Sequence, residues 1–248
     1  MDENQAFYEM VKKWVVSDYR TPTIRSEVII DMLISEFIEE MIAAKLGIAL
    51  DDVKLLAKEF PMPVYKEKRQ NPKVDYLVLT KSAKEEKNTI YLVELKTTNY
   101  SLKPSQENNM NTAISRGADE LWKLFIDIVN NKDAKSADRK KYQFMLSQMR
   151  EKISLGDAKL LDDIDLSLRQ AKLKVLYICL HKTTKSENFF SKEIEHFYLD
   201  DIYTNKKFIH YLNKRNKKLA WDKLFDILIE IFAMANDFEG TSNEKSRS

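Results

Sequence analysis

Three charged residues lie at matching ends of two consecutive apolar segments. Asp75 lies near the start of the segment Val74–Thr80, and Glu94 and Lys96 lie near the end of the segment Thr89–Thr97. Both segments are rich in Val, Ile, Leu and Tyr, and a polar stretch separates them, which indicates a β-hairpin. We therefore predict that the three charged side chains lie together at the open end of this hairpin.

The length of the loop determines which residues of the hairpin face each other. If Lys81–Asn88 forms the loop, residues whose numbers sum to 169 are opposite, and Asp75 then faces Glu94. Such partners have Cβ atoms about 4.5–5.5 Å apart. Because side chains alternate between the faces of a strand, Lys96 shares the face of both carboxylates. The opposite face is expected to carry Val74, Tyr76, Val78, Tyr91, Val93 and Leu95.

Two carboxylates in this position need a counter-charge. They repel each other, and partial burial raises the cost of ionising both. Mg²⁺ prefers oxygen ligands and is usually held by one or two carboxylates together with phosphate oxygens and water. A neighbouring lysine is suited to holding or deprotonating an attacking water and to stabilising charge on a phosphate. The alternative is an ordinary Glu–Lys pair at a strand end, because a Glu-x-Lys sequence often occurs by chance.

These residues resemble the PD-(D/E)XK nuclease superfamily. Pro72 to Asp75 match the first half-motif, although two residues separate the proline from the aspartate, and Glu94-Leu95-Lys96 match the second. The resemblance implies a restriction-endonuclease-like mixed sheet flanked by helices, Mg²⁺ or Mn²⁺ as cofactor, and hydrolysis of DNA or, less favoured, RNA. It also implies that Asp75, Glu94 and the Leu95 carbonyl bind the metal and that Lys96 is catalytic.

Two further positions follow from the same resemblance. Such nucleases often add an acidic residue from the first core helix, and the helix predicted over residues 23–46 offers several glutamates. We favour Glu27 and then Glu36, whereas solvated helix charges are the alternative for each of them. The other candidates on this helix are Glu39 and Glu40. Related nucleases also place a glutamine that contacts substrate or water where Gln106 opens the next helix, and a polar first-turn residue is the alternative there.

A second group of residues is a candidate nucleic-acid surface. Between Asp201 and Asp222 there is no acidic residue, and two aromatic residues, Phe208 and Tyr211, lie among the basic ones. Lysines and arginines at this density can neutralise phosphates, and an aromatic ring can stack on an unpaired base. The alternative is a solvated helix whose aromatic residues pack into the core. The basic residues are Lys206, Lys207, Lys214, Arg215, Lys217 and Lys218.

Composition narrows the classes of function. The chain of 248 residues has 41 basic and 39 acidic residues, so its net charge of +2 provides no global attraction for nucleic acid. The single cysteine, Cys179, excludes an internal disulfide framework and is expected to be a buried, inert thiol. There is no phosphate-binding glycine loop, no zinc-protease motif, no apolar signal region and no membrane-spanning run. A cytoplasmic protein is expected, and a homodimer is compatible with the sequence.

The elements that position the candidate site are expected in the order helix, three strands, helix, helical insertion, two strands and helices. A short helix is predicted from Asp51 or Asp52 to Ala57, and Met62–Lys66 is a weak strand candidate. Apolar residues three and four apart predict a helix over Ser105–Asn130. Later segments are predicted as a loop over 131–141, helical segments over Tyr142–Lys152 and Ala158–Gln170, strands over Lys172–Leu180 and Ile194–Leu199, and helices over Ile202–Asn213 and Leu219–Ala235.

The sequence therefore predicts a single α/β domain over residues 1–236, followed by a polar tail over 237–248. The leading hypothesis is a magnesium-dependent phosphodiesterase that acts on nucleic acid. Two alternatives remain open: a catalytically inactive nuclease-fold protein that binds nucleic acid or has a structural role, and an unrelated α/β protein whose motif arose by chance.

Overall fold

A five-stranded mixed β-sheet flanked by helices forms the centre of the structure, which is a computed structural model. This confirms the predicted α/β class and the predicted order of elements. Side chains are not described for residues 136–139. The described residues are 5, 8–13, 30–31, 33–64, 71–81, 87–96, 104–131, 136–153, 161–180, 182 and 195–230.

The strands follow one another across the sheet in chain order. β1 pairs with β2 and β2 with β3 in antiparallel fashion, whereas the pairs β3–β4 and β4–β5 are parallel. The parallel step from β3 to β4 requires a crossover, which the central helices provide. The strands are β1 (Val53–Pro61), β2 (Lys73–Thr80), β3 (Thr89–Lys96), β4 (Lys172–Cys179) and β5 (Glu195–Tyr198).

Helices cover both faces of the sheet. Among the described residues, no helix is long and apolar enough to cross a membrane. Residues 30–31 and 33–34 are also helical and lead through a 3₁₀ turn, Ser35–Phe37, into α2. The helices are α1 (8–13), α2 (Ile38–Leu46), α3 (Pro104–Asn130), α4 (Ser136–Lys152), α5 (Leu166–Arg169), α6 (Leu199–Tyr203), α7 (Lys206–Lys214) and α8 (218–230).

The hairpin of β2 and β3 has the predicted register. Tyr76 pairs with Val93, Leu77 with Leu92 and Thr80 with Thr89, so the residue numbers of each pair sum to 169. The pattern could be predicted because the two apolar segments and the polar loop between them are local features of the sequence. This register brings the charged ends of both strands to the same edge of the sheet.

Two hydrophobic clusters hold the helices against the sheet. The first joins the face that carries Tyr76 and Val93 to α2, α6, α7 and α8, and the second joins the face that carries Leu77 and Leu92 to α3, α4 and α5. Val74 was expected on the Tyr76 face, but it belongs to the second cluster together with its cross-strand partner Phe60. Both faces of the hairpin are therefore buried, as a sheet with helices on both sides requires.

The first strand was not predicted correctly. The segment expected to be a helix through Ala57 is a 3₁₀ turn, Leu50–Asp52, followed by β1, whereas Met62–Val64 lies outside any strand. A register shift between Leu55 and Ala57 interrupts the alternation of side chains. Because this bulge breaks the period of two on which strand prediction depends, the apolar residues of β1 imitate a helical spacing.

The helical insertion also differs in detail from its prediction. Helix α4 begins at Ser136, within the segment expected to be a loop. Of the helix predicted over Ala158–Gln170, residues 158–160 lie outside the described residues, and residues 161–170 form a 3₁₀ turn, Leu161–Asp163, and the short α5. The helix predicted over Ser105–Asn130 is present as α3, with a kink at Gly117, where φ is 81°. A residue with a side chain rarely adopts this backbone conformation, so glycine permits the change of direction.

Candidate active site

Asp75 lies near the beginning of β2, directly before the pair formed by Tyr76 and Val93. Continuation of the register places it beside Glu94. The backbone N–H of Leu95 donates a hydrogen bond of 2.7 Å to Asp75 Oδ2, so the carboxylate contacts the backbone of the neighbouring strand. The Leu95 carbonyl remains a predicted metal ligand, and the Leu95 side chain packs into the first hydrophobic cluster.

Glu94 and Lys96 form a buried ion pair at the end of β3. Their relative exposures are 4% and 5%, and Lys96 Nζ lies 2.9 Å from Glu94 Oε2. The same ammonium donates a hydrogen bond of 2.8 Å to Gln106 Oε1, from the first turn of α3. The structure therefore brings Asp75, Glu94, Lys96 and Gln106 together, as the sequence analysis expected.

Burial and mutual repulsion shift the acidity of both carboxyl groups. Burial and, after it, the charge of Glu94 raise the pKa of Asp75 to about 7, although the hydrogen bond from Leu95 and the charge of Lys96 oppose the shift. Burial also raises the pKa of Glu94 above its usual range, although its ion pair with Lys96 opposes this. The buried Glu94 and the half-buried Asp75 thus lie near one ammonium, which is paired with Glu94, and the cluster carries an excess of negative charge whenever both carboxylates are ionised.

Sequence reasoning missed Asp31, which lies on the helical segment before α2. The hydroxyl group of Tyr76 donates a hydrogen bond to the Asp31 carboxylate and another, 3.0 Å long, to the Asp31 carbonyl. Burial raises the pKa of Asp31, and the negative charge of Asp31 in turn raises the pKa of Asp75 and Glu94. No local pattern marks this residue, because its position depends on how the helix packs against β2.

The glutamates that were considered instead of Asp31 have other contacts. Glu27 lies outside the described residues, and Glu36 is exposed. Glu39 accepts a hydrogen bond of 2.8 Å from the backbone N–H of Leu55, and Glu40 is fully buried. Glu39 therefore contacts the edge strand β1, and both Glu39 and Glu40 pair with basic residues of the C-terminal stretch.

Glu59 is a second acidic residue that the sequence analysis did not identify. It lies between the paired positions Lys58–Tyr76 and Phe60–Val74, and hence beside Asp75. Its φ of 54° is unusual for a residue with a side chain and indicates local backbone strain. Its charge raises the pKa of Glu94, and Lys73 lies 3.5 Å from its carboxylate. The misassignment of β1 as a helix concealed this position.

The donor set fits a hard divalent cation, although it is small. Within the described part of the chain, no three acidic, histidine or cysteine side chains are grouped closely enough to hold a metal ion. Asp75 and Glu94 provide two oxygen donors whose charges only one lysine offsets. Mg²⁺ commonly binds protein through one or two carboxylates and takes its remaining ligands from phosphate and water. The pair is therefore compatible with such an ion.

β4 extends the face of the sheet that carries this cluster. Tyr177 pairs in register with Glu94, and Cys179 pairs with Lys96. The Tyr177 ring lies 6.0 Å from Lys96 Nζ, at the limit of a cation–π contact. Burial raises the pKa of the Cys179 thiol to about 12, which agrees with the expected buried and inert cysteine.

The basic residues of the C-terminal stretch form ion pairs within the protein. Arg215 lies 2.6 Å from Glu39 and 3.3 Å from Glu40, and Lys217 lies 2.9 Å from Glu40. Lys206 is exposed. The remaining contacts join Lys207 to the carbonyl of Gly47 at 3.3 Å, Lys214 to Asp51 at 3.2 Å, and Lys218 to Asp222 at 2.6 Å. These contacts bind α7 and its surroundings to α2.

The two aromatic residues of this stretch point into the protein. Phe208 is fully buried against Trp221, with ring centroids 4.8 Å apart, and the hydroxyl of Tyr211 donates a hydrogen bond of 2.8 Å to the carbonyl of Ile48. Both contacts favour the packing interpretation that the sequence analysis left open. A nucleic-acid surface at this place remains a prediction, and the internal contacts of its side chains weaken it.

Comparisons with known proteins supply no further guide to this site. No known family, curated protein or solved structure matches the chain. The fold and the site together define an α/β protein with a buried carboxylate–lysine cluster at one edge of a mixed sheet. Its function must therefore be inferred from these side chains and their surroundings.

Proposed function

We propose that this protein is a Mg²⁺- or Mn²⁺-dependent nuclease with a PD-(D/E)XK-type site and a restriction-endonuclease-like fold, and that it hydrolyses phosphodiester bonds of DNA rather than RNA. The observation that carries the proposal is the cluster of the buried Glu94 and Lys96 with the half-buried Asp75 and Gln106, in which two carboxylates lie beside one lysine. A structural ion pair needs only one carboxylate for each ammonium. The second carboxylate therefore favours a site that takes up a cation.

Each residue of the cluster has a role that its contacts support. Asp75, Glu94 and the Leu95 carbonyl would hold the metal ion, which when bound orients the phosphate, lowers the pKa of a bound water and offsets developing charge. Lys96 positions the attacking water and stabilises negative charge on the phosphate. Gln106 accepts a hydrogen bond from Lys96 Nζ and so restricts the direction of the ammonium.

Asp31 is the best-placed acidic residue of the first core helix for this reaction. Its carboxylate is held by the hydroxyl of Tyr76, the neighbour of Asp75 in the sequence, and its charge affects both hairpin carboxylates. We assign to it the role that the sequence analysis gave to Glu27 or Glu36. It would add negative charge next to the pair and so strengthen the attraction for a divalent cation.

An activity screen tests this function directly. Purified protein is incubated with single-stranded DNA, duplex DNA and RNA, in the presence of Mg²⁺, Mn²⁺ or a chelator. Lys96→Ala should lower the cleavage rate by about a hundredfold or more, because it removes the charged group nearest the phosphate. Lys174→Ala is a matched control, since Lys174 is also a strand lysine paired with a glutamate, 3.1 Å from Glu195.

Two results would reject the proposal. Cleavage that is equal in the wild type and in Lys96→Ala would assign the activity to another site or to a contaminant. Binding of nucleic acid without cleavage under any metal condition would support the alternative of a catalytically inactive nuclease-fold protein.

A further inference from the structure

A cavity of about 500 Å³ lies between α4, the edge strand β1 and the start of α2. Four lysines from three different parts of the chain line it: Lys58, Lys141, Lys152 and Lys217. Glu36 and Glu39 also line it, and the guanidinium of Arg215 lies 2.6 Å from Glu39. The positive charges of the wall therefore exceed the negative ones.

Several of these side chains are fixed in place by contacts with the backbone. Lys152 donates a hydrogen bond of 2.6 Å to the carbonyl of Leu55, and Lys217 donates one of 2.5 Å to the carbonyl of Glu36. The acceptor of Lys152 is an uncharged carbonyl group, so this bond leaves much of the positive charge of the ammonium to act on the cavity, whereas Lys217 also lies 2.9 Å from Glu40 and is partly neutralised by it. Lys141 is exposed on the solvent side of α4. The wall is therefore a preorganised basic surface.

Lys58, which lines the cavity, lies close to the segment that carries Asp31. This residue donates a hydrogen bond to the hydroxyl oxygen of Ser35, which lies one helical turn after Asp31. Lys58 also pairs across β1 and β2 with Tyr76, whose hydroxyl holds the Asp31 carboxylate. The lysine of the cavity wall that lies nearest Asp31 is therefore Lys58, and the rest of the wall follows the edge strand β1 away from the carboxylates.

An exposed aromatic ring completes the wall. Phe144 lines the cavity from α4 with 64% of its surface exposed, although its neighbours Met145 and Leu146 are buried. Aromatic rings beside basic residues are typical of surfaces that bind single strands, because bases stack on the rings while lysines neutralise the phosphates.

We propose that this cavity binds the phosphodiester backbone of the nucleic-acid strand whose scissile bond enters the candidate active site, with Lys58, Lys141 and Lys152 facing phosphates and Phe144 stacking on a base. The identity of the occupant rests on the proposed function. The surface is contributed largely by the helical insertion α4, and it shares Lys217 with the C-terminal basic stretch, whose charges are mostly paired with acidic residues.

The size and composition of the cavity favour a polymer over a small anion. An anion such as phosphate needs only one tight cluster of donors, whereas the lysines here come from β1, α4 and the segment before α8 and line a long wall. The aromatic ring of Phe144 provides neither a hydrogen-bond donor nor a positive charge for an inorganic anion. A strand that crosses the wall uses both the separated charges and the ring.

Direct binding measurements test the proposal without requiring cleavage. Fluorescently labelled single-stranded and duplex DNA of the same sequence are titrated with the protein in the presence of a chelator, over a series of salt concentrations. Lys141→Glu should raise Kd about tenfold and lower the salt slope by about 0.7 for the single strand. Phe144→Ala should raise Kd for the single strand by about tenfold and affect duplex binding less.

The chain offers a matched control on the same helix. Lys140 is exposed, adjacent to Lys141 and not part of the cavity wall, so Lys140→Glu makes the same change of charge and should alter Kd by less than about threefold. Lys141→Gln keeps the test valid if the charge reversal disturbs folding. Circular dichroism and melting temperatures confirm that each variant is folded.

The outcomes separate this inference from the proposed function. It is overturned if Lys140→Glu and Lys141→Glu weaken binding equally, if the wild type binds no oligonucleotide, or if millimolar phosphate displaces the strand and Phe144→Ala has no effect. Weaker binding in Lys141→Glu by a protein that cleaves nothing would support the surface and reject the nuclease. Metal-dependent cleavage with an unchanged KM in Lys141→Glu would reject the surface alone.

Discussion

Two buried glutamates of this protein, Glu94 and Glu40, both lie beside basic side chains, but their surroundings differ. Glu40 is paired with both Arg215 and Lys217, so basic groups outnumber the carboxylate there. Glu94 is paired with Lys96 and lies beside the second carboxylate of Asp75, so carboxylates outnumber the basic group. The balance of charge is therefore opposite at the two glutamates.

This difference separates structural charges from functional ones. At Glu40, the excess charge belongs to side chains that are partly exposed, and water and the neighbouring Glu39 can stabilise it. At Glu94 and Asp75, the carboxylates are buried and half-buried, and desolvation raises the pKa of both groups. Either a proton on Asp75 or a bound cation relieves such an imbalance, and the proposed function assigns this role to the cation.

The largest expected effect distinguishes the two glutamates by activity. Glu94→Gln should lower the rate of metal-dependent cleavage by about a thousandfold, because it removes a proposed metal ligand and the partner of Lys96. Glu40→Gln should leave the rate per folded molecule within about threefold of the wild type. Initial rates at saturating substrate, corrected for the folded fraction, measure both. Equal losses of cleavage rate in the two variants would contradict a functional role of Glu94 and a structural role of Glu40.

The second effect distinguishes them by stability. Glu40→Ala should lower the free energy of unfolding by about 3 kcal/mol, since it removes the buried carboxylate that pairs with Lys217 and one of the two carboxylates that pair with Arg215. Glu94→Gln should cost less, because it also removes repulsion with Asp75. Urea unfolding at neutral pH without metal provides the comparison, and Lys218→Ala, which breaks a partly exposed pair with Asp222, is the control. A greater loss in Glu94→Gln than in Glu40→Ala would contradict this interpretation.

The third effect concerns Asp75 and pH. Because the pKa of Asp75 is raised to about 7 in the folded protein, its protonated form favours folding below about pH 4, and this contribution is lost as the pH rises through about 7. The side chain in Asp75→Asn cannot ionise, so this variant does not lose folding stability as the pH rises. The variant should therefore gain on the order of 2 kcal/mol relative to the wild type between pH 4 and pH 8 in the absence of metal.

Metal ions provide the complementary measurement. Millimolar Mg²⁺ or Mn²⁺ should raise the melting temperature of the wild type at pH 8, because they bind the folded pair and not the separated carboxylates of the unfolded chain. Asp75→Asn should abolish this response. If its stability relative to the wild type does not depend on pH, or if metal stabilises both proteins equally, Asp75 is not part of a cation site.

The hairpin was predictable from the sequence because its determinants are local. Two apolar segments and the loop Lys81–Asn88 were enough to align Asp75 with Glu94, and the structure has this register from Tyr76–Val93 to Thr80–Thr89. Gln106 was identified only from a resemblance between motifs, as a contact to substrate or water, and its hydrogen bond with Lys96 was not predicted. The order of the elements likewise followed from their apolar periodicity.

Features that depend on tertiary packing were not predictable in the same way. β1 was assigned as a helix because the register shift at Leu55 and Ala57 hides its alternation. Asp31 was overlooked because only the packing of its helix against Tyr76 brings it near the carboxylates. The cavity beside Phe144 could not be foreseen either, since its wall is assembled from segments that are far apart in the sequence.

The smallest expected effect tests whether the C-terminal basic stretch has a structural role. Lys214 and Asp51 form an exposed pair, so Lys214→Glu should change the free energy of unfolding by less than about 1 kcal/mol. If this stretch only binds helices together, the variant should also keep the wild-type affinity for DNA and the wild-type salt dependence. Lys206→Glu, from an exposed position at the start of α7, serves as a second probe of the same surface. A fall of nearly one unit in the salt slope for either variant would mean that a phosphate contact had been lost there. In that case the strand would extend from the cavity beside α4 across α7, and the internal ion pairs would have to open when nucleic acid binds.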